Sequence, residues 1–191
     1  MDFRQVRELF PITKKMVYMN NGSIGAMSTA VIAAVDSFLG EVRDSGRNHY
    51  PQWCRFADHE IKADVARLLG CHKDELAFVK NTTEGLLNVA RGIDWRPGDN
   101  VIIADIEYPS NVYCWMDLRR HGVELRWVKN REGRILAADV EALVDARTRV
   151  VSLSGVQFSN GFRLDLERLS HFCHGRGVLL NLDMIHWVGA L

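Results

Sequence analysis

Four short segments contain most of the polar side chains in this chain that could take part in chemistry. Each follows a short apolar run of the kind that forms buried strands, so each is expected near a strand end. If the strands lie side by side, the hydroxyl, amide and carboxyl groups of these segments could converge on one ligand. The segments are Asn81-Thr-Thr-Glu-Gly85, Glu107-Tyr-Pro-Ser-Asn111, Ser159-Asn-Gly161 and Asp183-Met-Ile-His186.

The first segment has the composition of a phosphate-binding helix start. A strand-like run ends at Val79, and Thr82 and Thr83 lie where a helical pattern begins. The N–H groups and positive end of a helix favour a phosphate, and threonine hydroxyls add donors. The alternative is a plain cap by Thr82 or Thr83, with Glu84 in the first turn. The sequence has no Walker P-loop and no GxGxxG motif, which disfavours a nucleotide.

Three further residues each have a functional and a structural interpretation. Asp183 ends an apolar run, and a buried carboxylate needs a partner such as a protonated pyridine nitrogen. It could equally cap a following helix. Tyr108 could stack on a flat ring, or it could be a turn residue beside Pro109. Asn160 could donate to a phenolate oxygen of a ligand, whereas Asn-Gly alone indicates a turn.

The elements that must position these residues are helices and short strands in alternation. Ser28 can cap a helix with an apolar stripe that includes Val31 and Phe38, and a second helix from about Phe56 is ended by Gly70. The predicted strands are 76–79, 101–104, 123–128, 150–153 and 178–182; the later helices are 83–90, 111–120, 138–145 and 164–174.

This alternation predicts an α/β fold with a mostly parallel sheet covered on both faces. In such sheets ligands bind beyond the carboxyl ends of the strands, which is where the four polar segments lie.

Composition narrows the class of protein. The 191 residues are 47% hydrophobic and 25% charged, and 24 basic residues balance 24 acidic ones, so neither nucleic acid nor a membrane surface is indicated as a partner. The N-terminus lacks the apolar core of a signal peptide, and no apolar run approaches a membrane span. Four scattered cysteines without a CxxC pair predict a reduced, cytoplasmic protein. A metal site is not expected, because the sequence has no compact His/Cys cluster with ligand spacing.

In their order along the chain, these motifs resemble the class V aminotransferase family, which includes cysteine desulfurases, carbon–sulfur lyases and epimerase-like members. An Asn-Asn-Gly near the start precedes the polar segments, and Asp183-x-x-His186 is followed by Val-Gly-Ala-Leu. The resemblance runs from about Met19 to Leu191 and covers roughly the first half of a typical member. It implies an N-terminal arm with a substrate-side loop at residues 1–27. Residues 28–191 would form part of the cofactor-binding large domain of fold-type I pyridoxal-phosphate enzymes, incomplete at its C-terminus.

The resemblance also implies a role for each matching residue. Thr82 and Thr83 would bind the cofactor phosphate, Tyr108 would stack on the pyridine ring, and Asp183 would pair with the pyridine nitrogen. Asn160 would lie near the phenolic oxygen, and His186 stands where a glutamine is common. Four residues match the N-terminal loop on the substrate side: Asn21, Gly22, Ser23 and Gly25.

The lysine that holds the cofactor in such enzymes is expected beyond this chain, whose last lysine is Lys129. None of the four cysteines matches the desulfurase nucleophile, so no catalytic residue is assigned. The resemblance implies an amino-acid substrate, lyase, transaminase or epimerase chemistry, and a homodimer or a complementing chain. We expect weak binding of pyridoxal 5'-phosphate and little turnover by this chain alone. The alternative is an inactive, truncated relative that acts as a binding or oligomerisation module.

Overall fold

The computed structural model describes residues 2–190, which form two compact units, Met1–Leu76 and Ala77–Leu191. Met1 and Leu191, the outer ends of the two predicted domains, lie outside the described residues. The boundary predicted after residue 27 falls within the first unit. No helix in the described part of the chain is long and apolar enough to cross a bilayer.

The first unit is helical. Ser28 caps α2 as expected, because its hydroxyl accepts a hydrogen bond from the Val31 N–H. Gly70 ends α4 in the left-handed conformation, with φ 69°. The helix predicted from about Phe56 begins earlier, at Tyr50, and its middle segment, Phe56–Ile61, is π-helical. The elements of the first unit are α1 (Phe3–Glu8), α2 (Thr29–Ser45), α3 (Tyr50–Arg55), a π-helical segment (Phe56–Ile61) and α4 (Lys62–Leu69), with 3₁₀ turns at Pro11–Lys14 and Lys73–Glu75.

The second unit contains a four-stranded sheet in the order β2-β1-β3-β4, and every pairing is parallel. The predicted α/β class and parallel sheet are therefore confirmed. Its helices are α5 (Thr82–Gly92), α6 (Ser110–Met116), α7 (Ala137–Glu141) and α8 (Leu166–Arg176), and its strands are β1 (Asn100–Ala104), β2 (Glu124–Val128), β3 (Thr148–Ser154) and β4 (Leu179–Asp183).

Both faces of the sheet are covered, because successive residues of a strand point to opposite sides. On β1, Ile102 and Ala104 pack in one apolar cluster with Leu169 of α8. The intervening Val101 and Ile103 pack in a second cluster with residues of α5 and α6. The continuous apolar run that predicted a buried strand therefore supplies both layers of the core.

The strand predicted at residues 76–79 is wrong. The four-stranded sheet includes none of these residues, and Phe78 and Val79 are exposed. A β-branched, apolar run becomes a strand only where a neighbouring strand completes its hydrogen-bond ladder. That tertiary requirement is not visible in local sequence.

The later helices form near their predicted positions but end sooner or later than expected. The helix predicted at 111–120 ends at Met116 and continues as a 3₁₀ segment, Asp117–His121. The helix predicted at 138–145 is the shorter α7. Asp165 lies one residue before α8 rather than within its first turn, and its carboxylate accepts from the Arg168 N–H.

Candidate functional site

One face of the sheet changes from apolar to polar between β1 and β4. Ser152 and Ser154 alternate with the apolar residues of β3, and the parallel register sets them opposite Asn181 and Asp183 of β4. Both serines and Asp183 are buried. Buried polar side chains lower stability unless they are hydrogen-bonded or used, so this half-face is the first candidate for a site.

Asp183 lines a cavity of about 530 Å³ at the carboxyl end of β4. Asp183 is only 5% exposed, and one of its carboxyl oxygens accepts a hydrogen bond from the Ile185 N–H at 3.1 Å. The residues that follow form turns and no helix, so the capping alternative does not hold. Ten residues line the cavity: Thr82, Gly85, Leu86, Val89, Asn181, Leu182, Asp183, Met184, Ile185 and Val188.

The beginning of α5 forms the opposite wall of this cavity. Asn81, not a threonine, caps the helix: its side chain accepts from the Glu84 N–H at 2.9 Å. The Glu84 carboxylate accepts in turn from the Lys80 N–H at 2.8 Å. Among the described residues no hydrogen bond engages the Thr82 hydroxyl, whereas that of Thr83 contacts the Ser110 hydroxyl at 2.9 Å. Capping by Thr82 or Thr83 is therefore wrong, and the Thr82 hydroxyl is available to a ligand.

Tyr108 lies in the turn between β1 and α6 and is half exposed. Its ring packs edge-on against Phe158, with ring centres 5.2 Å apart and an interplanar angle of 84°. Pro109 follows and immediately precedes α6. The aromatic side chain is thus held from one side by Phe158.

Asn160 occupies a turn and is not among the residues that line the Asp183 cavity. Its amide nitrogen donates to the Gly133 carbonyl at 2.7 Å, and its oxygen accepts from the Phe162 N–H at 2.9 Å. Gly161 follows with φ 72°, a conformation that favours glycine. Both ends of the Asn160 amide are thus engaged by backbone groups, one in its own turn and one in the turn at Gly133.

His186 lies in the turn after β4, half-buried and three residues beyond Asp183. The predicted substrate-side loop belongs to the first unit, where it is exposed and internally hydrogen-bonded. The Asn21 side chain accepts from the Ala26 N–H at 3.4 Å, and the Tyr18 hydroxyl donates to the Ile24 carbonyl at 2.6 Å. Gly22, Ser23 and Gly25 lie within this closed turn.

A buried hydrogen-bond network behind the cavity was not predicted from the sequence. Its centre is Glu107, 7% exposed, and it includes side chains from α6, β3, β4 and the loop after β3. The sequence did carry a signal: polar residues recur every second position at the ends of two apolar strands, Val-Val-Ser-Leu-Ser and Leu-Leu-Asn-Leu-Asp. The further members are Asn111, Trp115, Ser152, Ser154, Gln157 and Asn181.

The two buried cysteines, Cys114 and Cys173, have thiols of low reactivity. Burial raises the pKa of the Cys114 thiol to about 12, and burial also raises that of Cys173. Both thiols are therefore protonated at neutral pH and are poor nucleophiles. Residues 2–190 contain no group of three or more His, Cys, Asp or Glu side chains placed to hold a metal ion.

The parallel sheet, with a buried aspartate at a strand end facing the start of a helix, defines an α/β domain with a candidate ligand site at the carboxyl end of its strands. Residues 17–190 match the aminotransferase class-V family, and the chain belongs to that family.

Individual relatives agree with this assignment. The chain is 31% identical to an uncharacterized protein of Schizosaccharomyces pombe, over 98% of this chain and 43% of that protein. It is 30% identical to a probable cysteine desulfurase of Methanothermobacter thermautotrophicus, over 96% of this chain and 47% of that protein. The chain thus spans about half the length of the curated relatives it matches.

A solved structure shows the same fold. It is a lysine-to-alanine variant of C-DES with glycine covalently linked to its PLP cofactor, and it superimposes with a TM-score of 0.89 at 22% identity. The match covers 97% of this chain and 51% of that one. The described residues therefore have the architecture of about half of a fold-type I enzyme.

Proposed function

We propose that this chain forms the cofactor-binding part of a pyridoxal-phosphate enzyme that acts on an amino acid. The observation that carries the proposal is the Asp183 cavity, where a buried carboxylate and the start of α5 share one space. Its volume of about 530 Å³ suits a small ligand rather than a macromolecule.

The side chains around the cavity fit this cofactor. Asp183 has one N–H partner for two carboxylate oxygens, so a protonated pyridine nitrogen would complete its hydrogen bonding. The first N–H groups of α5 and the Thr82 hydroxyl suit a phosphate. Thr83 would join them by exchanging its contact with Ser110. Tyr108 presents a ring for stacking, and we assign it to the cofactor face.

Asn160 and His186 are not among the residues that line the Asp183 cavity. Asn160 would have to leave its bonds to Gly133 and Phe162 to reach a phenolic oxygen. His186 lies in the turn after β4, three residues beyond Asp183, and we assign it to the same oxygen. We assign the loop at residues 21–25 to the substrate side.

When bound, the cofactor supplies an electron sink for bonds at the α-carbon of an amino acid. Asp183 would keep the pyridine nitrogen protonated, and Thr82 would fix the phosphate end. Which lyase, transaminase or epimerase reaction follows depends on groups outside these residues. We propose that a longer product or a second chain supplies the reactive lysine, and that the protein is a homodimer in the cytoplasm.

The direct test is an absorbance titration of the 191-residue chain with pyridoxal phosphate, followed by borohydride reduction and intact mass. Saturable binding without a covalent adduct supports the proposal. A reduced adduct on one lysine would show that the chain supplies its own reactive amine. No saturable binding refutes cofactor binding by this chain.

A pair of threonine variants localises the binding. Thr82→Val should weaken the affinity about tenfold, because a hydroxyl donor to a charged phosphate is lost. Thr148→Val is the control, since Thr148 is buried at the opposite end of β3. It should leave the affinity within twofold. Equal effects of the two substitutions would contradict the assignment of Thr82.

A second candidate function is a non-catalytic binding or oligomerisation module. The observation that favours it is the apolar stripe of α2, where Val31, Val35, Phe38 and Leu39 are all exposed. Exposed stripes of this kind commonly mark an interface. Light scattering distinguishes the candidates when combined with the titration: an assembled chain that binds no pyridoxal phosphate supports the module.

A further inference from the structure

A single buried carboxylate ties together three segments beside the cavity. One oxygen of Glu107 accepts from the Ser154 N–H at 2.9 Å and from the Gln157 amide at 3.0 Å. The other accepts from the Ser154 hydroxyl at 2.5 Å and from the Asn111 amide at 3.1 Å. Glu107 therefore joins the start of α6 to the end of β3 and to the loop that follows.

The network continues from Asn111 to the wall of the cavity. The Asn111 oxygen accepts from the Trp115 indole N–H at 3.1 Å and from the Ser152 hydroxyl at 2.5 Å. The Ser152 oxygen then accepts from the Asn181 amide nitrogen at 2.8 Å. Asn181 lines the cavity, two residues before Asp183 on the same face of β4.

Two groups of fixed chemistry set the direction of the bonds in this network. The Glu107 carboxylate accepts from all four of its partners, and the Trp115 indole N–H can only donate, so Asn111 turns its NH₂ group toward Glu107 and its oxygen toward Trp115 and Ser152. Ser152 has one proton and gives it to Asn111. It can then only accept from Asn181, whose NH₂ group is held away from the cavity.

We propose that Glu107 is a positioning residue that orients the Asn181 amide, so that its carbonyl oxygen, rather than its NH₂ group, is presented to the ligand. This rests on the proposed function, in which a cationic ring lies against Asp183. Two acceptors side by side favour such a ring, whereas an NH₂ group would repel it. The Asn181 oxygen has no hydrogen-bond partner among the described residues, as a ligand-facing acceptor requires.

Glu107 also borders the aromatic contact at the same place. Tyr108 is its neighbour and packs on Phe158, which is the neighbour of Gln157. The turn at Glu107 and Tyr108 is thus joined to the turn at Gln157 and Phe158 twice, by a buried hydrogen bond and by ring packing. A change at Glu107 is therefore transmitted to the cavity wall and to the stacking side chain.

The test uses Glu107→Gln, which retains the shape but cannot accept from all four donors. Side-chain amide signals are recorded by ¹⁵N NMR in the ligand-free chain, and pyridoxal phosphate affinity is measured by absorbance. We expect the Asn181 amide signals to shift and the affinity to fall about tenfold. Unchanged Asn181 signals in the folded variant, or an affinity within twofold of wild type, overturn the proposal.

A double-mutant cycle with Ser152→Ala tests the route. Ser152 is the link between Asn111 and Asn181, so in its absence Glu107→Gln should reduce the affinity further by less than twofold. A further tenfold loss in that background would mean that Glu107 acts in another way. Thr148→Val provides a buried polar substitution at the other end of β3, and it should leave both the Asn181 signals and the affinity unchanged.

Two outcomes outside the main result are also decisive. If Glu107→Gln fails to fold, Ser152→Ala alone must shift the Asn181 signals and weaken binding, and if it does neither the proposal is wrong. If the wild-type chain binds no pyridoxal phosphate, the proposed function fails. The ligand-free NMR comparison then still decides whether Glu107 orients Asn181.

Discussion

Replacing Asp183 by asparagine should separate binding from stability. Asparagine keeps an oxygen that can accept from the Ile185 N–H, so the turn after β4 is retained. What is lost is the negative charge, which in the ligand-free chain has no cationic partner among the described residues. The substitution therefore removes a buried, uncompensated charge from the apo protein and an ion-pair partner from the complex.

The two effects have opposite signs. A hydrogen bond to a charged group contributes about 1.5–3 kcal/mol, which corresponds to a loss of roughly 10- to 150-fold in affinity for pyridoxal phosphate. In the apo chain the cost of burying an unpaired carboxylate disappears. The free energy of unfolding in urea should therefore stay within about 1 kcal/mol of wild type or increase.

The control is Asp99→Asn, because Asp99 is as buried as Asp183 but already has partners. Its carboxylate accepts from the Arg96 N–H at 2.9 Å and pairs with Arg149 at 3.2 Å, before the start of β1. Since Arg149 is partly exposed, loss of this ion pair in D99N should lower the free energy of unfolding by about 1 kcal/mol. The affinity for pyridoxal phosphate should stay unchanged. A D183N chain that binds as tightly as wild type, or loses several kcal/mol, would refute the assignment of Asp183.

Three further predictions concern the rest of the second unit and one exposed thiol. The Arg147 N–H, with Arg126 and Asn100, lowers the pKa of Asp145 in the folded chain. This stabilisation is complete above the unfolded pKa of about 3.9 and is lost only as the pH falls through the lower folded value, so D145N should be less stable than wild type in urea at pH 7, by a margin that shrinks as the pH is lowered below about 3.9. Iodoacetamide at pH 8 should modify the exposed Cys54 and spare Cys114 until the chain unfolds, as mass spectrometry of tryptic peptides can show. Leu153→Ala, at a fully buried site, should cost about 2–5 kcal/mol in urea unfolding, whereas Leu179→Ala, at a position 53% exposed, should cost less than about 1 kcal/mol.

The fold was predictable from the sequence where the pattern is local. The buried strands β1 and β3 could be recognised from their continuous apolar runs, and helix α2 from its capping residue Ser28, because both signals lie within a few consecutive residues. The strand expected at residues 76–79 could not be judged in this way. Its formation depends on a partner strand, which can lie far away in sequence, and local propensity carries no information about such a partner.

The site was only partly predictable for a related reason. Asp183 and Thr82 could be selected because each ends or begins an element, and the structure brings both to one cavity. The acceptor role of Glu107 could not be predicted in this way, since its donors lie four to fifty residues away in the sequence. The cap of α5 is ambiguous in the sequence because Asn81, Thr82 and Thr83 are all suitable residue types, and only the backbone conformation distinguishes among them.

The polar half-face of the sheet explains why stability and function should diverge in this chain. An ordinary core would continue the apolar side chains of β1 across β3 and β4, yet Ser152, Ser154, Asn181 and Asp183 interrupt it. The Glu107 network satisfies the serines and one end of Asn181, which leaves the Asp183 carboxylate and the Asn181 oxygen as acceptors on the cavity wall. Donors must come from outside the described residues to complete them, so a cationic ligand should raise the stability of this unit in proportion to its binding.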